Sequence, residues 1–256
     1  LPIPATMELL KEWYNNYLFG EEAETAMFNS DMVLYFLNAA EGRSKLPLQL
    51  IDQNIRIDYG KLRHLMAIDR RLNGNFSLLK KIIEEGSTTS PINASFPLEQ
   101  LLNPENFISL LYYFGLLTMA GTRDGSPLLR IPNRTVKDLM YGYLRSAYAD
   151  VEVFKLDVWR LSRLLDDMAY RGDWRPFFDY LNAQIEQQAS VRDHLHGEKV
   201  IQGFLIAYLN VTHNFLTWSE REMGGGFVDL YLEPFLARYP EIKYGYLIEL
   251  EHISET

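Results

Sequence analysis

The chain has no cysteine. That excludes a disulfide scaffold, a thiolate metal site and a cysteine nucleophile, and it fits a reducing compartment, so a cytoplasmic location is expected. Uninterrupted apolar runs of the roughly 18 residues that a spanning helix needs are also missing, so no membrane partner is expected. The sequence G-x-x-x-x-G-K-[ST] occurs nowhere, and this chain alone is not expected to hydrolyse ATP. The start, LPIPATMELLKEW, lacks the basic segment and clean apolar stretch of a signal peptide. It also lacks an initiator Met, which leads to the expectation of a fragment or a processed chain. Positive charge is in short supply: the formal net charge is −9 at pH 7. Bulk electrostatics therefore cannot hold a nucleic acid, and any such contact needs a local basic face or a bound cation. Residues 1–150 carry 15 Lys and Arg against 17 Asp and Glu, and residues 151–256 carry 10 against 17. The acidic C-terminal part suits a cation site better than a phosphate cradle.

What is present is ordinary globular material. Apolar residues make up 47% of the 256 and charged residues 23%, enough for one large or two small domains. Residues 7–19 mix helical spacing with an Asn-rich break. Residues 30–40 (SDMVLYFLNAA) read as an apolar helix behind an N-cap-like Ser30. Two helical stretches follow, DYGKLRHLMAIDRRL (58–72) and FSLLKKIIEEG (76–86), then a loop or extended segment over 86–97. Pro104 opens a helix over 104–117. The Asp124-Gly125 pair between two apolar runs signals a hairpin, and Asn133 is placed to cap the next helix. Helix, hairpin, helix over 104–150 is a winged-helix-like order, or a small α/β packing unit with no nucleic-acid role.

From 151 onward the spacing is helical through VWRLSRLLDDMAY, PFFDYLNAQIEQQ and GEKVIQGFLIAYLN. The period then changes. FLTWSERE, GFVDLYLEP and YGYLIELEHI read as three strands, the first two joined at Gly224-Gly225-Gly226. Asp229 and Glu249 lie inside apolar strands, where an unpaired carboxylate is costly. Strand geometry points Glu249 and Glu251 to one face, roughly 7 Å apart. If the strands pair, Asp229 joins them, and Glu222 and Glu198 can complete a carboxylate cluster for Mg²⁺ or Mn²⁺. The alternative is that Asp229 and Glu249 are solvated or paired with Arg221 or Lys243, and that Glu198 only decorates a helix N-terminus.

The pattern of Glu198 on a helix, then Asp229, then Glu249-Leu250-Glu251 resembles the PD-(D/E)XK nuclease core. More closely, WSEREMGGGFVDLYLEP followed by YLIELE is similar to the C-terminal nuclease-like domain of AAA-ATPase-like proteins common in gut Bacteroidetes. KEWYNNYLFG, MFNSDMVLYFL and LIDQNIRIDYGKLRHL resemble the part of that family downstream of its ATPase core. The resemblance implies Asp229, Glu249 and Glu251 as catalytic positions, with Asp229, Glu249, Glu198 and Glu222 as metal ligands. It also implies hydrolysis of phosphodiesters in DNA or RNA and contact with the ATPase core of the same parent chain. Glu251 stands where the family has lysine. A lysine orients the attacking water, whereas a carboxylate can only act as a base or a further ligand. Some restriction endonucleases of this fold carry Glu there and still cleave. A catalytically degenerate module used for binding or regulation is the alternative.

The expected fold is α/β and predominantly helical. It comprises a helical region over 1–103, a winged-helix-like piece over 104–150, and a helical lead-in with an incomplete PD-(D/E)XK-type mixed sheet over 151–256. An unpaired last strand would favour a homo-oligomer. The basic stretch 56–81 (Arg56, Lys61, Arg63, Arg70, Arg71, Lys80, Lys81) reads as a solvated face or a nucleic-acid contact. His194 and His196, at i, i+2, do not share a helix face and make no zinc site.

Overall fold

The computed structural model describes residues 3–43, 46–47, 49–52, 54–55, 65, 67–68, 71–150, 156–187 and 198–251. Among them are eight α-helices, a two-stranded ribbon and two three-stranded antiparallel sheets, divided between two compact units, Leu1–Ala147 and Tyr148–Thr256.

In the first unit, helix α1 (Ile3–Tyr14) stops before the Asn15-Asn16 break, where Asn16 takes a positive φ of 75°. Helix α2 (Ser30–Ala40) starts behind Asn29, not behind Ser30, because the Asn29 carboxamide oxygen accepts from the Met32 amide at 3.1 Å. The helix expected over 58–72 is not borne out where it is described. Ala67–Ile68 (β1) and Arg71–Leu72 (β2) form an antiparallel ribbon instead. The cause lies just downstream, where the side-chain amides of Asn73 and Asn75 both donate to the Leu65 carbonyl, at 2.8 and 3.2 Å. That tie turns the chain back on itself before helix α3 (Gly74–Glu85) begins. Of the basic stretch 56–81, Arg56, Lys61, Arg63 and Arg70 lie outside the described residues; of its α3 lysines, Lys81 reaches Glu85 at 3.9 Å.

Residues 87–89 form strand β3, and helix α4 (Pro104–Tyr113) is shorter than expected because Gly115 turns left-handed at φ 68°. Strands β4 (Thr118–Arg123) and β5 (Ser126–Arg130) meet at Asp124-Gly125, both at positive φ, as the dipeptide predicts. Helix α5 (Arg134–Asp150) follows, capped by Asn133, whose oxygen accepts from Val136. The sheet order is β3-β5-β4, so the segment read as a loop or an extended stretch supplies one edge strand. Phe36, Leu79, Ile82, Phe107, Leu111 and Leu129 are buried in this unit.

The second unit packs helices α6 (Val158–Arg171), α7 (Arg175–Gln187) and α8 (Glu198–Leu209) with strands β6 (Phe215–Met223), β7 (Gly226–Pro234) and β8 (Tyr246–Ile248). Its sheet, in order β6-β7-β8, is antiparallel throughout rather than mixed. Alternation along β7 sends Val228, Leu230 and Leu232 into the core, beside Phe204, Phe215 and Thr217. The C-terminal end of α6 holds β8 in place. Its Met168 carbonyl accepts from the Tyr246 hydroxyl at 2.7 Å, and its Ala169 carbonyl from the Lys243 amide at 3.2 Å. The Met168 carbonyl also takes the Gly172 amide at 3.2 Å, whereas Ala169 lies in the last turn, where a carbonyl has no partner within the helix, and the Lys243 amide supplies one. No helix among the described residues is long and apolar enough to cross a membrane.

Candidate functional site

Asp229 sits near the middle of β7, on the face opposite the buried Val228, Leu230 and Leu232, and is half-buried. Two neighbours fix it. Its backbone carbonyl accepts from the Gln202 side-chain amide of α8 at 2.7 Å, and its carboxylate Oδ2 accepts from the Leu250 amide at 2.6 Å. The second contact draws the Glu249-Leu250-Glu251 segment up to Asp229, so the Asp and the E-x-E segment meet as the sequence pattern requires.

The geometry of that meeting differs from the expectation. Strand β8 ends at Ile248, paired with Leu230, so Glu249 and Glu251 lie beyond it, and the spacing argument for two carboxylates on one strand face lapses. The Asp229 carboxylate takes the Leu250 amide in place of a strand carbonyl, and the ladder stops there. Glu249 and Glu251 are exposed. Glu222 is exposed at the hairpin tip, opposite Phe227 and one residue from the turn that Gly224 and Gly225 make at φ 61° and 91°. Glu198 opens α8, one helical turn before Gln202, with its side chain outside the described residues. His194 and His196 also fall outside them.

The cations named as alternative partners act elsewhere. Arg221 pairs with Glu233 at 2.8 Å, and the Trp218 ring nitrogen donates to the same carboxylate oxygen at 2.7 Å. The Arg221 guanidinium also lies over the Trp218 and Tyr231 rings, at 4.8 and 5.1 Å from their centroids. Lys243 is exposed, and among the described residues neither it nor Arg221 forms an ion pair with Asp229 or Glu249.

Carboxylate oxygens are the right donors for a hard divalent cation. The arrangement stops short of a full set: among the described residues, no three His, Asp or Glu side chains gather closely enough to hold a metal ion. Asp229 and the residues on either side of Leu250 are brought together; Glu222 is not gathered with them. Gln202 was missed from the sequence. Its signal was available, as a polar residue in the apolar run VIQGFLIAYL that is 5% exposed. Such a group is retained where it has a hydrogen-bond partner, here the Asp229 backbone.

No curated protein and no solved structure matches the chain. Residues 196–256, from the start of α8 through the Glu249-Leu250-Glu251 segment, match the PD-(D/E)XK nuclease superfamily, and this part of the chain carries a PD-(D/E)XK nuclease superfamily domain.

Proposed function

We propose that the chain is the nuclease-like C-terminal part of a AAA-ATPase-like protein, hydrolysing phosphodiesters in nucleic acid with Mg²⁺ or Mn²⁺. The observation that carries this reading is the Asp229 carboxylate held at 2.6 Å from the Leu250 amide, between Glu249 and Glu251. Asp229 and Glu249 are the primary metal ligands in this reading, Glu198 and Glu222 the further ones, and Glu251 takes the lysine position. A cation bound there supplies Lewis acidity to the phosphate and lowers the pKa of a coordinated water. The protein's own part is to fix Asp229 through Gln202 and Leu250. The ATPase core of the parent chain is the proposed partner, the compartment is the cytoplasm, and a second copy at the β8 edge is a further partner. A winged-helix-like role for 104–150 is supported by the helix, hairpin, helix order and by the sheet order β3-β5-β4.

A second reading is favoured by two specific observations. Glu251 replaces a lysine, and no three acidic side chains converge among the described residues. On that reading the domain is a degenerate nuclease that serves binding or regulation. Calorimetric titration of Mn²⁺ into the chain and into its Asp229→Asn and Glu249→Gln variants separates the two. Binding by the wild type that both variants lose supports the metal site. Equal binding by all three, or none by the wild type, removes the first reading. Metal-dependent cleavage that arises only after Glu251→Lys supports the second.

A further inference from the structure

The first unit carries a cleft of about 300 Å³ that the nuclease reading leaves unused. Tyr17, Phe19, Phe28, Tyr113 and Phe114 line it, together with Asp31. Two of the rings are presented outward, Phe19 at 71% and Tyr113 at 54% exposed. Contiguous exposed apolar surface of this kind marks binding surfaces, since leaving it in water is unfavourable.

The cleft is built on a rigid base. Tyr17 and Met27 exchange backbone hydrogen bonds of 3.1 and 2.9 Å, closing the loop between them. Thr118 clamps Leu18 from the sheet, accepting from its amide at 2.6 Å and donating to its carbonyl at 3.0 Å. Tyr17 and Phe19 lie nearly parallel, their planes 13° apart. A site whose walls are already in place loses little ordering entropy on binding.

Charge identifies the occupant. Between Lys11 and Arg43 the sequence has no cation, and the loop joining Phe19 to Phe28 carries Glu21, Glu22 and Glu24. These three are exposed, and none forms an ion pair among the described residues. The stretch that carries Tyr113 and Phe114 is equally bare, with no Lys or Arg between Lys81 and Arg123. A nucleic acid would meet Asp31 and the glutamate loop, with no cation among the lining residues. Aromatic faces beside carboxylates attract cations, and a planar guanidinium stacks on a ring where an ammonium cannot. We infer that this cleft docks an arginine-bearing polypeptide segment of a partner protein, the guanidinium stacked on the exposed aromatic rings that include Phe19 and Tyr113 and balanced by Asp31 and the glutamate loop.

Fluorescence anisotropy tests this with the intact chain and a short labelled peptide alternating glycine and arginine. The arginine peptide is expected to bind, its lysine counterpart several-fold more weakly, and a labelled oligothymidylate not at all. Phe19→Ala and Tyr113→Ala should each weaken binding about tenfold, and Asp31→Asn by several-fold. Glu8→Gln removes the same charge from exposed α1 and should change nothing. The inference is overturned if the arginine peptide fails to bind, if Phe19→Ala binds it as the wild type does, or if Glu8→Gln weakens it as much as Asp31→Asn. It is equally overturned if the oligonucleotide binds and Phe19→Ala abolishes that binding.

Discussion

Replacing Asp229 by alanine and by asparagine separates its structural work from its proposed work on a metal. The Leu250 amide donates to Asp229 Oδ2 at 2.6 Å from a half-buried position. A hydrogen bond to a charged group contributes about 1.5–3 kcal/mol, and one to a neutral acceptor about 0.5–1.5 kcal/mol. Asp229→Ala removes the acceptor and forfeits the larger sum. Asp229→Asn keeps a carbonyl oxygen in the same place and gives up only the difference, about 1 kcal/mol. Hydrogen exchange at the Leu250 amide reads local opening directly. At about 1.4 kcal/mol per decade, protection should fall about 10-fold to 100-fold in Asp229→Ala and about 5-fold in Asp229→Asn. Exchange is the right readout because β8 pairs with only one neighbour among the described residues, so the segment can open without unfolding the unit. Both substitutions remove the negative charge that a divalent cation needs, so both should abolish Mn²⁺ binding. Leu250 protection in Asp229→Ala equal to that of the wild type would refute the latch. Mn²⁺ binding retained in Asp229→Asn would leave Asp229 a purely structural residue.

Two further outcomes follow from buried or crowded groups. Burial, joined by the Arg134 charge and opposed by Asp138, pushes the Lys137 ammonium down to about 8. The unfolded chain holds that proton to about pH 10.4, so between these values the unfolded state binds more protons and stability rises with pH. The rise reverses beyond about pH 10, where the unfolded state releases the tyrosine protons that burial makes the folded state keep, those of Tyr14 and Tyr141 above all. Urea midpoints across about pH 8 to 10 should climb in the wild type and climb less in Lys137→Met, where Lys80, also lowered by burial, still contributes. Gly172 ends α6 at φ 79°, and an added Cβ would lie 2.9 Å from the Tyr244 ring. Gly172→Ala should therefore lower stability by about 1–3 kcal/mol in thermal unfolding, and Tyr244→Ala should recover part of the loss in the double variant.

Much of the fold was legible because its signals are short-range. Asp124-Gly125 and Gly224-Gly225 dictate their turns by backbone preference alone, and the strand over 226–234 ends where Pro234 ends it. Asn133 caps α5 as its position suggests. That Asp229 and the Glu249-Leu250-Glu251 segment come together was also legible, although Glu249 lies beyond β8 and not inside a strand. Other features depend on partners far away in sequence. Asn73 and Asn75 turn back the segment read as a helix by holding Leu65. Residues 87–89 become a strand only because β5 lies beside them. Arg221 goes to Glu233, shared with Trp218, so the sequence could offer it to Asp229 or Glu249 but could not choose. Strand β8 is cut short at Ile248 because a side chain takes the next amide. By itself the sequence determined where the chain turns, which stretches are apolar on one face, and which acids those stretches carry, since each of these follows from a residue and its near neighbours. The tertiary structure alone decided which donor meets which acceptor. A carboxylate or an amide can satisfy any of several distant partners, and only the packed chain brings one of them within hydrogen-bond reach.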